Sequence, residues 1–376
     1  MGRAVLLLDD GGYLVIGESA EQLEPQELPH IYLVRLDASG DVVWEKSSVE
    51  GRLSGGSSAI AVDDGFMVAG TVQSDDGDDA EILLLHIDSD GNEIWWQRYG
   101  TELFEHGGDL MRMADDGFAV IGNCVDPNDI VADPGAAGYA GFAERSDVYV
   151  VRTDANGNEI WARRFDRDEN IVSSGGVATA DGGIVILAYV LLYPLDDNDI
   201  VLFKIDADGN EVWSRTWDAG KASGYDLIGT SDGGYLICGT QSFPDGADQV
   251  PADALLIKVD EDGYEIWQTT FGDRSLSETA HVVTETRGGQ YVIAGWQQPD
   301  LYTYVDSILL VAVDANGIPV WAEVTPTTAH NTFGEIHELP DGSFVIVGAV
   351  AIPGRPFRLQ VIRTDPAPRA ATDTEP

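Results

Sequence analysis

Seven repeats of a paired-hairpin unit predict an all-β chain, and the fold class they imply is a seven-bladed β-propeller of four-stranded antiparallel blades. Two punctuation marks and one hydrophobic pattern carry that expectation. The first mark is an Asp-Gly turn opening an apolar run: Asp10-Gly11, Asp64-Gly65, Asp116-Gly117, Asp181-Gly182, Asp232-Gly233, a degraded Arg287-Gly288, and Asp341-Gly342. The second is an Asp-x-x-Gly turn leading into a tryptophan, as Asp37 to Trp44, Asp88 to Trp95, Asp154 to Trp161, Asp206 to Trp213, Asp260 to Trp267 and Asp314 to Trp321. The pattern is a near-continuous apolar second strand, such as Leu14-Val15-Ile16, Leu236-Ile237-Cys238 or Val345-Ile346-Val347. A strand with one wet face alternates polar and apolar residues, so these runs are expected to be covered on both faces, as between neighbouring blades.

Within a unit, the third repeat shows the four strands most clearly, at Asp109–Ala114, Phe118–Cys124, Val148–Thr153 and Glu159–Arg164. Strands one and two are joined by Asp-Gly, strands three and four by Asp-Ala-Asn-Gly and its variants. Glycine there supplies the positive φ of a tight hairpin. The units begin near Ala4, Ser57, Asp109, Gly175, Asp226, Val282 and Glu335, and one domain spanning residues 1–365 accounts for them. The seventh unit has three strands, ending near Val361-Ile362-Arg363-Thr364, with no tryptophan-bearing fourth. Either that blade is three-stranded or residues upstream of Met1 complete it; we favour the second. Residues 366–376 read as a disordered polar tail.

The formal net charge is −44, and four lysines (Lys46, Lys204, Lys221, Lys258) stand against seventeen arginines. Such a balance fits a halophilic, salt-adapted protein, because concentrated salt screens the self-repulsion. It also excludes nucleic acid and anionic membrane surfaces as partners, since both are polyanions. The apolar run Ala4–Leu8 is too short for a signal core and reads as a strand, and no segment is long enough to span a membrane as a helix. Cys124 and Cys238 lie in units three and five, so free thiols are expected rather than a disulfide.

Alternating strand direction places both short hairpins of a blade on one side and the variable connections on the other, where a functional site is expected. The longest connection is Asn123 to Ser146, with Asp126-Pro127-Asn128-Asp129 and Tyr139. When the units are aligned, the first position of strand one is acidic in alternate units: Asp109, Asp226 and Glu335. With His106, His281 and His330 in adjacent connections, these carboxylates are candidates for a divalent cation. Trp296 falls outside the repeat slot and, with Tyr302 and Tyr304, is a candidate surface for a sugar or peptide. The Asp-x-Asp-Gly-Asn turns echo calcium loops but lack the bidentate glutamate and flanking helices, so they are hairpin turns. The one Gly-x-Ser-x-Gly string, Gly229-Thr230-Ser231-Asp232-Gly233, is an Asp-Gly hairpin turn rather than a strand-to-helix elbow, and there is no His-Glu-x-x-His or phosphate-cradling loop.

The stretches Asp10 to Gly17 and Leu36 to Trp44 resemble blades of bacterial and archaeal β-propeller repeat proteins, a group often exported or displayed on the cell surface. The Asp-x-x-Gly-x-x-x-Trp element is also similar to the repeat of pyrroloquinoline-quinone enzymes and related outer-membrane assembly propellers. Those quinoproteins carry adjacent cysteines by the cofactor; this chain has none, which argues against pyrroloquinoline quinone. The expectation is therefore a monomeric, non-enzymatic binding or scaffold propeller for a protein or glycan, outside the cell or on its surface, although an internal location stays open. The alternative is a glycan lyase or hydrolase using the carboxylates at the mouth of the propeller channel.

Overall fold

The computed structural model describes residues 2–19, 30–48, 54–73, 79–126, 130–131, 142–143, 145–167, 169–190, 198–217, 221–242, 252–273, 275–298, 306–351 and 358–365. Tyr302, Tyr304, Tyr139, most of the long connection of unit three and the tail from Pro366 lie outside the described residues. The repeats fold as seven antiparallel sheets, six of four strands and the last of three, and the fold is a β-propeller. Blades one to four belong to a compact unit over Met1–Lys221, and blades five to seven to a second over Ala222–Pro376. A separate two-stranded ladder in the long connection pairs Ile130 with Ala143 and Val131 with Phe142.

Each blade is built by its turns. In the second hairpin the leading aspartate accepts two backbone N–H groups: Asp88 Oδ1 takes Asp90 N at 2.9 Å and Asn92 N at 2.7 Å, and Asp37, Asp154, Asp206, Asp260 and Asp314 repeat the arrangement. The glycine that follows has positive φ in all six turns, which is why no other residue fills the slot. The tryptophan of one blade then covers the next blade's turn. Trp44 Nε1 donates to Ser89 O at 3.1 Å, Trp161 Nε1 to Ala207 O and Trp267 Nε1 to Ala315 O, both at 3.0 Å. A Cβ on Gly91 or Gly317 would strike that indole at less than 3 Å.

The first hairpin is tied to strand three by a cation. Its aspartates Asp10, Asp115, Asp181, Asp232 and Asp341 receive Arg35, Arg152, Lys204, Lys258 and Arg363, and His86 fills the same place opposite Asp64. In blade six the turn carries Arg287 and the strand-three position is Ala312, so both partners have changed together.

The first strands run over Gly2–Leu7, Ser54–Val62, Phe104–Arg112, Ile171–Ala178, Ala222–Gly229, Ser277–Glu285 and His330–Glu338. Each is interrupted by a register shift at the same place, between Gly2/Ala4, Gly56/Ser58, Ile121/Gly122 on the partner, Ser173/Gly175, Gly224/Asp226, Ala280/Val282 and Phe333/Glu335. A one-residue bulge bends the strand and re-aims its side chains. The bulge also pushes a carbonyl of strand one against strand two. A Cβ on Gly239, Gly295 or Gly348 would lie less than 2 Å from Ser223 O, Thr279 O or Thr332 O, which explains the glycine recurring after the apolar run.

The second and third strands form the core. In the first unit Ile16, Leu33, Val68 and Leu85 join blades one and two, while Val150, Ile186 and Phe203 join blades three and four. In the second unit Cys238, Leu256, Ile293 and Leu309 join blades five and six. Each such side chain contributes roughly 1.5–3 kcal/mol by leaving water. Both cysteines are buried and free, as expected, and burial pushes the Cys124 thiol up to about 12. Among the described residues no helix is long and apolar enough to cross a membrane.

Candidate functional site

The alternate-blade acids are placed by the bulge. Asp109 and Asp226 are the residues that follow it, and each turns its carboxylate toward the neighbouring blade. Asp109 accepts Leu110 N at 2.9 Å and Gly176 N of blade four at 3.0 Å. Asp226 accepts Leu227 N at 2.8 Å and Val283 N of blade six at 2.9 Å. Both carboxylates therefore satisfy backbone donors that would otherwise be stranded where two first strands meet. Glu335, in the same slot of blade seven, pairs instead with His337 Nε2 at 2.7 Å. His106 lies on the first strand of blade three, in register with Asn123. No group of three or more His, Cys, Asp or Glu side chains is placed to hold a metal ion among the described residues.

What the second unit does bring together is an aromatic group around His281, the bulge residue of blade six. Its ring stacks on Tyr225, the bulge residue of blade five, with centroids 5.0 Å apart and planes 15° from parallel. Trp296 from strand two of the same blade and Phe333 from blade seven stand 6.1 Å and 6.0 Å away. Burial holds the imidazole of His281 down at about 4, with the charge of His330 acting the same way and Asp306 opposing. His281 is thus a neutral ring at ordinary pH. Tyr225 remains 36% exposed, so the stack has an open edge.

Beside this group lies a polar pair. His330 Nδ1 and Asp306 Oδ2 are 2.6 Å apart, and Asp306 also accepts the backbone N–H of Asn331 at 3.1 Å and its side-chain amide. Asp306 is wholly buried while His330 is 31% exposed, so a fixed carboxylate orients a partly open imidazole. Asp306 immediately precedes strand three of blade six, Ser307–Val313, and His330 opens strand one of blade seven, which puts the pair at the variable-connection end of the blades.

His281, His330 and Trp296 were legible candidates. Tyr225, Phe333 and Asp306 were not, although Tyr225 and His281 share one slot, directly before Asp226 and Val282, and an alignment shifted by one residue exposes them. In the first unit a cleft of about 380 Å³ lies among hairpin turns and is lined by Asp115, Arg152, Ile160 and Asp181, residues already engaged in turn and blade contacts.

No protein-family model matches the chain, and no curated protein matches its sequence. Its fold does have solved counterparts. It is similar to a puromycin hydrolase variant complexed with PGG, with a TM-score of 0.58 and 12% identity over 97% of this chain and 52% of that one. The β-propeller domain of the Trilobed protease from Pyrococcus furiosus aligns with a TM-score of 0.52 and 11% identity over 98% of both chains. An apocarotenoid oxygenase from Synechocystis aligns with a TM-score of 0.50 and 13% identity over 86% of this chain and 74% of that one. The chain spans about half the length of the puromycin hydrolase. At such identities the likeness establishes the β-propeller fold alone.

Proposed function

We propose that this propeller is a non-enzymatic binding scaffold of a salt-adapted, exported protein, and that its partner is a glycan held at the variable-connection end of blades five to seven. One observation carries the reading: Tyr225, His281, Trp296 and Phe333 from three successive blades form a continuous aromatic group with an exposed edge. Flat apolar rings match the C–H faces of sugars, and the adjoining His330, Asp306 and Asn331 supply hydrogen-bonding groups for hydroxyls. The net charge of −44 favours neutral over anionic saccharides.

Titration calorimetry of the chain against neutral oligosaccharides tests this. Binding to the wild type that falls tenfold or more in both Tyr225→Ala and Trp296→Ala supports it. Binding to a protein partner with no saccharide affinity overturns the glycan assignment.

A second reading follows from the His330–Asp306 pair, whose geometry suits general acid–base chemistry. A glycan lyase or hydrolase activity lost in His330→Ala would replace the scaffold reading.

A further inference from the structure

Two buried glutamates occupy one structural slot, once in each compact unit. Glu105 is fully buried on the first strand of blade three and Glu278 is 2% exposed on that of blade six. Both stand two positions before the residue that precedes the bulge, since Gly107 pairs with Gly122 and Ala280 with Gly295. In each, Oε1 closes the turn by accepting the N–H of the residue after a glycine, Thr101 N at 3.0 Å and Asp273 N at 3.3 Å. In each, Oε2 has no hydrogen-bond partner.

The glycines make the two slots alike. Gly100 follows Tyr99 and Gly272 follows Phe271, and neither has positive φ, so these positions are glycine for room rather than for backbone conformation. A Cβ on Gly100 would lie 3.0 Å from Glu105 Oε2, and one on Gly272 would lie 2.9 Å from Glu278 Oε2. A second acid enters from strand three of the preceding blade, again at one register position: Glu81 before Ile82, which pairs with Tyr99, and Asp253 before Ala254, which pairs with Phe271. Asp253 Oδ1 lies 2.3 Å from the same point above Gly272.

Other blades fill this region differently. Ile171 and Ala222 replace the glutamate in blades four and five. The third-strand acid of blade three, Asp147, is met by Arg164 Nε at 2.7 Å, and Arg98 in the same register position lies 3.3 Å from Glu81, whereas the corresponding residue beside Asp253 is Thr270. Only in the Glu105 and Glu278 slots, among the described residues, does a buried glutamate oxygen face a glycine hollow beside another carboxylate.

We propose that these two slots are divalent-cation sites, with calcium as the fitting ion, held by Glu105 with Glu81 and by Glu278 with Asp253. Calcium takes carboxylate, carbonyl and water oxygens in adaptable geometry, so two acids at the seam of two blades can nucleate a site that main-chain and water oxygens complete. A buried carboxylate facing others needs either a cation or a proton. Burial, with Asp79 and Glu81 adding to it against the hydrogen bonds from Thr101, raises Glu105 to about 7. The ion would clip a first strand to the third strand of the preceding blade. This inference is independent of the glycan reading.

The test uses the full chain stripped with chelator, in molar potassium chloride at pH 8, titrated with calcium chloride by calorimetry. The salt suppresses diffuse binding to the −44 surface. The expected result is two equivalents bound by the wild type, one by Glu105→Gln or Glu278→Gln, and none by the double variant, with the circular dichroism of the fold retained. Gly272→Ala, which fills the hollow and keeps both acids, should lose the same single equivalent. A stoichiometry unchanged in all variants overturns the proposal. So does a wild type that binds no calcium while the double variant is more stable at pH 8, because the slots would then be proton-sharing carboxyls.

Discussion

Lys258 Nζ lies 2.9 Å from Asp232 Oδ1, with the lysine side chain 1% exposed and the aspartate 57%. A buried cation reaching a surface turn carboxylate is how this acidic chain fastens strand three to its first hairpin, and two of its four lysines do it. Burial would raise Asp232, but hydrogen bonds from Thr230 and Lys258 outweigh it and bring the carboxyl down to about 2. Lys258→Ala, which removes the packed stem as well as the charge, is expected to cost about 2 kcal/mol in denaturant unfolding. Asp232→Asn, on an exposed carboxylate, should cost about 0.5 kcal/mol after screening. The reverse order would show that the ion pair, not the stem, matters.

Asp226 serves the seam between blades five and six. Asp226→Ala leaves the N–H groups of Leu227 and Val283 without their acceptor, at about 1–3 kcal/mol, measurable by thermal unfolding. Affinity for an oligosaccharide bound at the Tyr225–Trp296 group should stay within about twofold, equivalent to under about 0.5 kcal/mol.

Glycines of the same blade should respond in opposite directions. In Gly295→Ala the new methyl meets Thr279 O at 1.7 Å, and the expected loss is about 3 kcal/mol. In Gly288→Ala the nearest atom is Thr286 Oγ1 at 3.8 Å and φ is not positive, so the variant should be neutral or gain about 0.5 kcal/mol by restricting the unfolded chain.

Two groups set distinct pH windows. Glu105 is raised from 4.5 to about 7, so its contribution is complete below pH 4.5 and is lost as pH rises through 7. Against Glu105→Gln, in chelator, the wild type should lose on the order of 3 kcal/mol between those limits. The groups facing it are Asp79 and Glu81, the latter near Arg98. His281 is lowered from 6.5 to about 4, so its contribution is complete above pH 6.5 and disappears as pH falls through 4. A flat difference curve for His281→Phe over that range would refute the burial argument.

The hairpins were legible because their chemistry is local. Asp88, Gly91 and Trp95 interact with neighbours a few residues away or one repeat on, so recurrence at fixed spacing reveals them. Asp109, Asp226 and Glu335 were also legible as a recurring slot. Their roles were not, because the N–H groups of Gly176 and Val283 that two of them hold lie more than fifty residues along the chain. The first strands were harder to bound: in blade three the sequence pattern begins at Asp109, whereas the strand begins at Phe104, since a polar stretch through Gly107 and Gly108 carries the bulge. Tyr225 shares the bulge slot with His281 but Phe333 does not, and the three rings meet only because three blades adjoin.

The amino-acid order by itself determined blade number, turn positions, strand pairing within a blade and the free state of Cys124 and Cys238, because each follows from short-range backbone and hydrophobic rules. Packing of one blade on the next decided which acids are structural, which aromatic rings converge on His281, and where Glu105 and Glu278 are left with an oxygen facing a bare glycine. Those outcomes depend on the bulge in every first strand, whose effect on side-chain direction exists only once the neighbouring strand is in place.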